Sequence, residues 1–191
     1  METFMSEKVD TWERISSKEI ADCRVFKVRE DLCERESDSK RSTFFVIESP
    51  DWVNIIAMTK DEEVVLIEQF RHGTEEIILE IPGGMIDENE DAETAARREL
   101  LEETGFSSDQ FILLGKSSPN PAIQGNTLYH FLALNAEKTH ETTFDEHESL
   151  VTKLVSLKEI KKLILKGKIT HSLVLAAFAI FSLRRYEDKN L

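Results

Sequence analysis

Three glutamates near the middle of the chain have the residue type and the spacing of metal ligands. Glu99, Glu102 and Glu103 lie in the segment 84–106, where Ala, Arg, Leu and Glu predict a helix and Gly105 has the position of a C-terminal cap. At about 100° per residue, the three carboxylates share one arc of that helix. Because carboxylates this close together repel one another, we expect a hard divalent cation such as Mg²⁺ or Mn²⁺ between them.

The same segment follows a longer pattern: a glycine, a glutamate, an arginine and then the run RELLEETGF that the arginine begins. Seven of its positions require one residue type, each used at roughly 7% in proteins, so a chance match at one start has a probability of about 10⁻⁸. A solvated acidic helix face, the usual role of a Glu-rich helix, is therefore disfavoured. The pattern resembles the Nudix box, and its specified residues here are Gly84, Glu90, Arg98, Glu99, Leu100, Glu102, Glu103, Gly105 and Phe106.

The resemblance assigns ligands to the cation. It implies that the backbone carbonyl of Gly83 and the carboxylates of Glu99 and Glu103 bind Mg²⁺ or Mn²⁺, with Glu102 beside or bridging them. Glycines at 83 and 84 suit this role, because without a side chain the backbone can approach metal and phosphate closely.

Two further box residues are expected to support these ligands. Arg98 lies one helical turn before Glu102 and is predicted to orient either Glu102 or Glu90. The resemblance gives Glu90 a structural or outer-sphere role.

The reaction implied by the resemblance is hydrolysis of a diphosphate bridge. A bound cation lowers the pKa of a water and offsets charge at the attacked phosphorus, and a carboxylate must take up the proton. The segment FDEHESL resembles an acidic catalytic loop of ADP-ribose pyrophosphatases, so Glu146 is the first candidate base and Glu148 the second. The competing interpretation of this segment is a solvated acidic loop. In that case the base lies on the helix, where Glu102 is the third catalytic candidate.

Residues outside the box resemble the branch of the family that hydrolyses ADP-ribose and nucleoside-diphosphate sugars. In that branch the arginine at the end of LIEQFR contacts the diphosphate and the glutamate of LEIPGGM lies near the substrate, which implies substrate roles for Arg71, Glu80 and Met85. A planar guanidinium suits phosphate, although a surface ion pair is the competing interpretation for Arg71. Trp52 is a candidate for stacking on a base across a dimer interface, or else a half-buried structural tryptophan.

The loop after the box departs from the pattern of dedicated ADP-ribose enzymes. Those enzymes continue as Ser-Pro-Gly with a nearby glutamate, whereas this chain has SPNPAIQGN at 118–126. A dedicated ADP-ribose hydrolase and a broader nucleoside-diphosphate-sugar hydrolase therefore both stay open. Two hypotheses are less favoured: hydrolysis of dinucleotides, dinucleoside polyphosphates or nucleoside triphosphates, and a nucleotide-sensing module without catalysis.

Composition restricts the partners. The chain has 191 residues and a formal charge of −13, which argues against nucleic acid or an anionic membrane as a partner. The partner that the resemblance implies is a small nucleotide-sugar substrate. The longest apolar run, 173–183, is shorter than the ~20 residues that span a bilayer. Two cysteines in no metal spacing and the lack of a secretory signal predict a cytoplasmic protein.

The order of elements predicts an α/β class, with mixed strands, one central helix and two late helices in a Nudix-type α/β/α sandwich. Residues 1–50 are predicted to be a β-rich arm and 51–191 the Nudix domain. By resemblance, the arm joins two subunits into a homodimer. The predicted strands are 24–29, 42–47, 53–59, 64–70, 77–81, 111–115, 127–134 and 150–157, and the late helices are near 157–166 and 170–185.

Overall fold

A computed structural model describes residues 9–142 and 149–187, which form two compact units. The first unit contains residues 9–49 together with Asn120–Asn126. The second contains Pro50–Pro119 and the described residues from Thr127 onward. The segment 120–126 therefore groups with the N-terminal residues, although the sequence places it in the loop after the box.

The first unit is an antiparallel sheet of three strands, β1 (Trp12–Asp22), β2 (Lys27–Arg35) and β3 (Arg41–Glu48), in that order. Strand β1 was not predicted, because every one of its residues but one is exposed and its sequence shows no apolar face. It forms through pairing with β2 along nearly its whole length, from Trp12 opposite Arg35 to Asp22 opposite Lys27. Of the described residues in this unit, only the polar Asp31 and Asn126 are buried, so the unit has no apolar core of its own.

The second unit is built on a seven-stranded sheet with the order β12-β5-β4-β10-β9, in which β6 pairs with β5 and β7 pairs with β4. Strands β4 and β10 run parallel, and the other pairs in the sheet are antiparallel. A short pair, β8 (Phe106–Ser107) and β11 (Glu137–Lys138), forms a separate ribbon. The sheet strands are β4 (Trp52–Met58), β5 (Glu63–Arg71), β6 (Glu76–Glu80), β7 (Gly83–Met85), β9 (Gln110–Ser117), β10 (Leu128–Leu134) and β12 (Leu150–Ser156).

The sheet lies between helices on both of its faces. Successive residues of β4 enter different clusters: Ile55 packs with Ala95, Ala96 and Leu100 of α1 (Ala92–Thr104), whereas Ile56 packs toward the other side. That second cluster contains residues of α2 (Leu157–Leu165) and α3 (Ser172–Glu187). Because strand side chains alternate between faces, the near-continuous apolar run of β4 fills both clusters. The predicted α/β/α sandwich with a mixed sheet is confirmed.

Helix α1 is capped at both ends, and of the two caps only Gly105 was predicted from the sequence. The Asp91 side chain accepts hydrogen bonds from the backbone amides of Glu93 and Thr94, which satisfies donors that the first turn leaves open. At the other end Gly105 has φ +72°, and a Cβ there would lie 2.2 Å from the carbonyl oxygen of His140. The predicted box helix is therefore present. None of the helices within the described residues is long and apolar enough to span a membrane.

Candidate active site

The loop between β6 and α1 brings a buried carboxylate against a glycine. The backbone N–H of Gly83 donates to Oε2 of Glu103 over 2.9 Å, and Glu103 is only 5% exposed. A Cβ at residue 83 would lie 2.4 Å from the carbonyl oxygen of Val53, so only glycine fits this approach. Glu103 on the helix and Gly83 on β7 are thus neighbours, although 20 positions separate them in the chain.

A second box carboxylate lies against the next glycine. A Cβ at Gly84 would lie 2.3 Å from Oε1 of Glu99, a distance that no side chain could occupy without displacing the carboxylate. The packing therefore favours two adjacent glycines, Gly83 and Gly84, where the box begins. It also places Glu99 and Glu103, one helical turn apart, beside one short stretch of backbone.

Arg98 connects the remaining acidic residues of the box. Its Nε and Nη2 donate to the two oxygens of Glu90 over 3.0 and 2.9 Å. Its Nη1 donates to Glu99 over 2.8 Å and to Glu102 over 3.2 Å, and Nη2 also donates to the carbonyl of Met85 over 3.0 Å. The hydrogen bonds to Glu90 are the main reason that the pKa of Arg98 lies above its usual range. One guanidinium thus orients Glu90, Glu99 and Glu102 together.

The donor set suits a hard divalent cation. Glu99, Glu102, Glu103 and the carbonyl of Gly83 offer oxygen atoms, which Mg²⁺ and Mn²⁺ prefer. Two of the carboxylates already lie against the Gly83–Gly84 backbone. In residues 9–142 and 149–187, no three acidic, histidine or cysteine side chains converge as a preassembled metal centre. In this structure Arg98 shares Glu99 and Glu102 and offsets part of the negative charge of the box.

Three residues before Gly83, the buried Glu80 is held by two basic side chains. Arg71 forms a fork on it, with Nε 2.7 Å from Oε1 and Nη2 3.0 Å from Oε2. His171, which immediately precedes α3, places Nδ1 2.8 Å from the same Oε2. Burial alone would raise the pKa of Glu80, but the hydrogen bonds from His171 and Arg71 outweigh it and lower the pKa to about 2. The carboxylate is therefore ionised at neutral pH.

The family can be decided from the sequence at this point. The model of the NUDIX domain matches residues 49–178, which is more than half of the chain. The chain belongs to the Nudix family. The prediction from the box is confirmed, and the matched range includes the whole acidic helix, Arg71, Glu80 and His171.

Two curated relatives match this Nudix protein over most of both chains. It is 29% identical over 173 residues to a methanol dehydrogenase activator from Bacillus methanolicus, covering 89% of this chain and 92% of that protein. It is also 29% identical over 161 residues to an ADP-ribose pyrophosphatase from Bacillus subtilis (strain 168), covering 84% of each. A crystal structure of an ADP compounds hydrolase superposes with a TM-score of 0.85, over 97% of this chain and 100% of that one, at 23% identity. That likeness confirms the fold.

Two of the predicted substrate residues lie beside the glycines of the Nudix box. Trp52 opens β4 and stands opposite Met85 of β7, one pair away from Val53 and Gly84. Trp52 is half-buried, and Met85 is 38% exposed. Their position is compatible with a ligand at the Gly83–Gly84 backbone, and their contact with substrate stays a prediction.

The two preferred candidates for the base, Glu146 and Glu148, lie outside the described residues. Glu102, the third catalytic candidate, is described: its side chain is 46% exposed and receives a hydrogen bond from Arg98. The choice of base among these three residues stays a prediction.

Two histidines that bind buried partners inside the Nudix domain were not predicted from the sequence. His171 binds Glu80, and His130 is fully buried between Asn54 and Ser117. Neither has a ligand-like spacing in the sequence, because its partner lies many positions away. For His130 a signal existed, since a histidine inside the apolar run of β10 must find hydrogen-bonding partners when the strand is buried.

The His130 cluster has a defined direction of hydrogen bonding. Asn54 donates from Nδ2 to the carbonyl of Leu173 over 3.1 Å, so its Oδ1 accepts from Nδ1 of His130 over 2.8 Å. That tautomer leaves Nε2 of His130 to accept from the hydroxyl of Ser117 over 2.8 Å. Burial lowers the pKa of His130 to about 4, so the imidazole is neutral. The cluster joins β9, β10, β4 and the start of α3.

Proposed function

We propose that this Nudix hydrolase cleaves the diphosphate bond of ADP-ribose or a related nucleoside-diphosphate sugar, giving a nucleoside monophosphate and a sugar phosphate. The observation that carries the proposal is the Arg71–Glu80 fork, which ends three residues before Gly83 and the buried Glu103. Arg71 offers a guanidinium suited to a diphosphate, and its partner Glu80 is close in the chain to the Gly83 backbone that binds Glu103. The relative named ADP-ribose pyrophosphatase, matched over most of both chains, supports the same substrate class.

The reaction is proposed to depend on Mg²⁺ or Mn²⁺ held by Glu99, Glu103 and the Gly83 carbonyl, with Glu102 beside them. When bound, the cation supplies charge neutralisation at the phosphate and lowers the pKa of a water. The N–H of Gly83 keeps the Glu103 carboxylate turned toward the glycine backbone. Arg98 keeps Glu99 and Glu102 in place.

Two further roles complete the proposed chemistry. Arg71 binds the diphosphate, because its planar guanidinium offers parallel N–H donors to phosphate oxygens. A carboxylate takes the proton of the attacking water, with Glu146 preferred, Glu148 second and Glu102 third.

The test is product release from a panel of nucleotides, each with Mg²⁺ and with EDTA. The panel contains ADP-ribose, ADP-glucose, GDP-mannose, UDP-glucose, NADH and a diadenosine polyphosphate. We expect Mg²⁺-dependent cleavage of ADP-ribose or another sugar nucleotide. Cleavage of only NADH or the polyphosphate would overturn the substrate class and keep the box chemistry. Tight binding without any cleavage would favour a nucleotide sensor.

We further propose that a second copy of the chain covers the N-terminal sheet, as the resemblance to the ADP-ribose branch of the family implies. Apolar side chains on this sheet are exposed, including Ile20 at 46% and Phe45 at 55%, and the described part of the unit buries no apolar residue. A small sheet of this kind is marginal without further packing. Light scattering on the purified chain should give the mass of a homodimer; a monomer at micromolar concentration would contradict this.

We also propose a cytoplasmic location. Cys23 and Cys33 both lie in the part of the chain that the structure describes, and neither forms a disulfide there. Unpaired thiols of this kind are typical of a reducing compartment. Fractionation of cells that express a C-terminally tagged chain tests this, and recovery of the protein outside the cytoplasm would contradict it.

A further inference from the structure

We propose that His171 is a positioning residue for substrate binding, which holds Arg71 in place through the buried Glu80. The proposal rests on the proposed function, because the binding of a diphosphate by Arg71 belongs to it. His171 lies 91 positions after Glu80 and reaches it from the connection between α2 and α3. Through this contact, the C-terminal part of the domain supports the residue pair that is proposed to bind the substrate.

The buried Glu80 carboxylate is shared between Arg71 and His171. It is 3% exposed, and its oxygens accept three hydrogen bonds, two from Arg71 and one from His171. The His171 bond falls on Oε2, which also takes the longer of the two Arg71 bonds, 3.0 Å against 2.7 Å. The imidazole therefore fixes the plane of the carboxylate on the side where Arg71 holds it less closely.

A carboxylate held in place orders the side chain of Arg71. The Arg71 side chain is 42% exposed and lies at the end of β5, where a long side chain would otherwise sample many rotamers. A side chain that has to be ordered when a ligand binds weakens that binding. A carboxylate held from both sides orders the guanidinium before the ligand arrives. Loss of His171 should therefore weaken substrate binding more than it slows the chemical step.

The His171 side chain is not needed to hold the start of α3 in place. The first turn of α3 is anchored independently, since Asn54 donates to the carbonyl of Leu173 and Val174 is buried. The backbone carbonyl of His171 accepts from the amide of Leu175, a bond that does not depend on its side chain. Replacing the imidazole should thus leave the helix in place and release only the Glu80 carboxylate.

The experiment is a double-mutant cycle on steady-state kinetics with Mg²⁺ and ADP-ribose, or the sugar nucleotide of the panel that is cleaved fastest. We expect His171→Leu to raise KM about 3- to 10-fold, within the range for ordering one long side chain on binding, with kcat within about twofold. Adding His171→Leu to Arg71→Ala should change KM little further, because His171 acts through Arg71.

The conservative variant His171→Asn tests the donor itself. Its side-chain amide can donate to Glu80 from nearly the place of Nδ1, so KM should return most of the way to the parental value. A KM as high as that of His171→Leu would show that the hydrogen bond to Glu80 is not what positions Arg71.

A matched control is His72→Leu, which removes an exposed imidazole next to Arg71 that contacts the ring of Phe70. It should leave KM and kcat unchanged. A thermal melt of each variant shows whether it is folded, and His171→Asn keeps the test open if His171→Leu is not.

The outcomes separate the two proposals. If Arg71→Ala leaves KM unchanged, the diphosphate role of Arg71 fails and this inference fails with it. If Arg71→Ala raises KM and His171→Leu does not, only the inference fails. Additive effects of the two substitutions would show that His171 acts on the substrate independently of Arg71, and would also overturn the inference.

Discussion

Two buried polar clusters lie near Gly83, one through the chain and one through strand pairing, and they differ in charge. Glu80, three residues before Gly83 and 3% exposed, is ionised and bound by Arg71 and His171. Asn54, which pairs with Gly83 across β4 and β7, binds the fully buried and neutral His130. Each cluster joins residues that are distant in the chain, Glu80 with His171 and Asn54 with His130.

The residues that bind Glu80 and the residues that bind His130 differ in charge. A buried carboxylate needs cationic or donor groups, and here these remain partly accessible, with 42% of the Arg71 side chain and 32% of the His171 side chain exposed. The partners of His130 are neutral: Asn54 is 6% exposed and Ser117 is half-buried. Buried polar residues alone therefore do not indicate a substrate site; a charged partner that stays partly exposed is the added signal.

The largest effect on catalysis is expected at Glu103, the carboxylate that Gly83 binds. Glu103→Gln keeps the shape of the side chain and an acceptor for the Gly83 amide but removes the charge proposed to bind Mg²⁺. We expect kcat to fall by at least about 100-fold, as for other groups that act on transition-state charge. Steady-state hydrolysis at saturating Mg²⁺ measures this.

Glu93→Gln is the matched control on the same helix, because Glu93 is exposed and pairs with Arg97 on the first turns of α1. It should hydrolyse at the parental rate. A Glu103→Gln enzyme with parental kcat would show that the metal assignment is wrong.

His130→Leu should break the neutral cluster at a cost in stability alone. It leaves Oδ1 of Asn54 and the hydroxyl of Ser117 without their partner in the interior. A buried polar group that loses its partner costs about 1–3 kcal/mol. Because the half-buried Ser117 can turn to water, the free energy of unfolding should fall by about this amount for Asn54 alone. Urea denaturation measures the loss, and KM for the sugar nucleotide should stay within about twofold. A raised KM with unchanged stability would reverse the roles of the two clusters.

Glu80→Gln should give the opposite pattern at the charged cluster. The amide oxygen can still accept one hydrogen bond, but Arg71 loses its ionic partner and its fixed orientation. Because Arg71 is more than a third exposed, water offsets part of the loss, and we expect only about 1–2 kcal/mol of destabilisation. KM should rise about tenfold, since binding now has to order Arg71. Parental KM would separate Glu80 from substrate binding.

The parts of the site that the sequence predicts are the ones whose geometry is local. Glu99, Glu102, Glu103 and Arg98 lie within two turns of one helix, so their spacing alone brings them together. Arg71 and Glu80 are nine positions apart on β5 and β6, which pair as antiparallel neighbours; both residues were predicted as site residues, but their contact was not. In both cases the neighbours follow from the secondary structure.

The parts that the sequence does not predict depend on chain segments that meet only in the folded domain. Asn54 and His130 are 76 positions apart and lie on parallel strands that no hairpin joins, and His171 is 91 positions from Glu80. Strand β1 fails for another reason: its exposed, mostly polar residues carry no alternation, and its pairing with β2 decides the structure. Periodicity detects burial, so an element that buries nothing escapes it.

The smallest effect expected is the pH dependence that the neutral cluster gives to folding. The pKa of His130 is about 4 in the folded protein against 6.5 for an ordinary histidine, so between these values the unfolded chain binds a proton that the folded chain does not. Stability is therefore complete above pH 6.5 and is lost as the pH falls toward 4. From pH 7 to pH 5.5 this loss should be about 1 kcal/mol. The Glu80 cluster adds nothing in that range, because its pKa of about 2 confines its loss to pH below 4.5.

The measurement is urea denaturation of the parental protein and of His130→Leu at pH 7 and 5.5, taken as the difference between the two proteins. All other titrating groups are common to both, so the difference isolates His130. The gap in the free energy of unfolding should narrow by about 1 kcal/mol at the lower pH, since only the parental protein loses the contribution of a neutral buried imidazole. An unchanged gap would mean that His130 keeps its ordinary pKa in the folded protein, and the contrast between a charged and a neutral cluster would no longer hold.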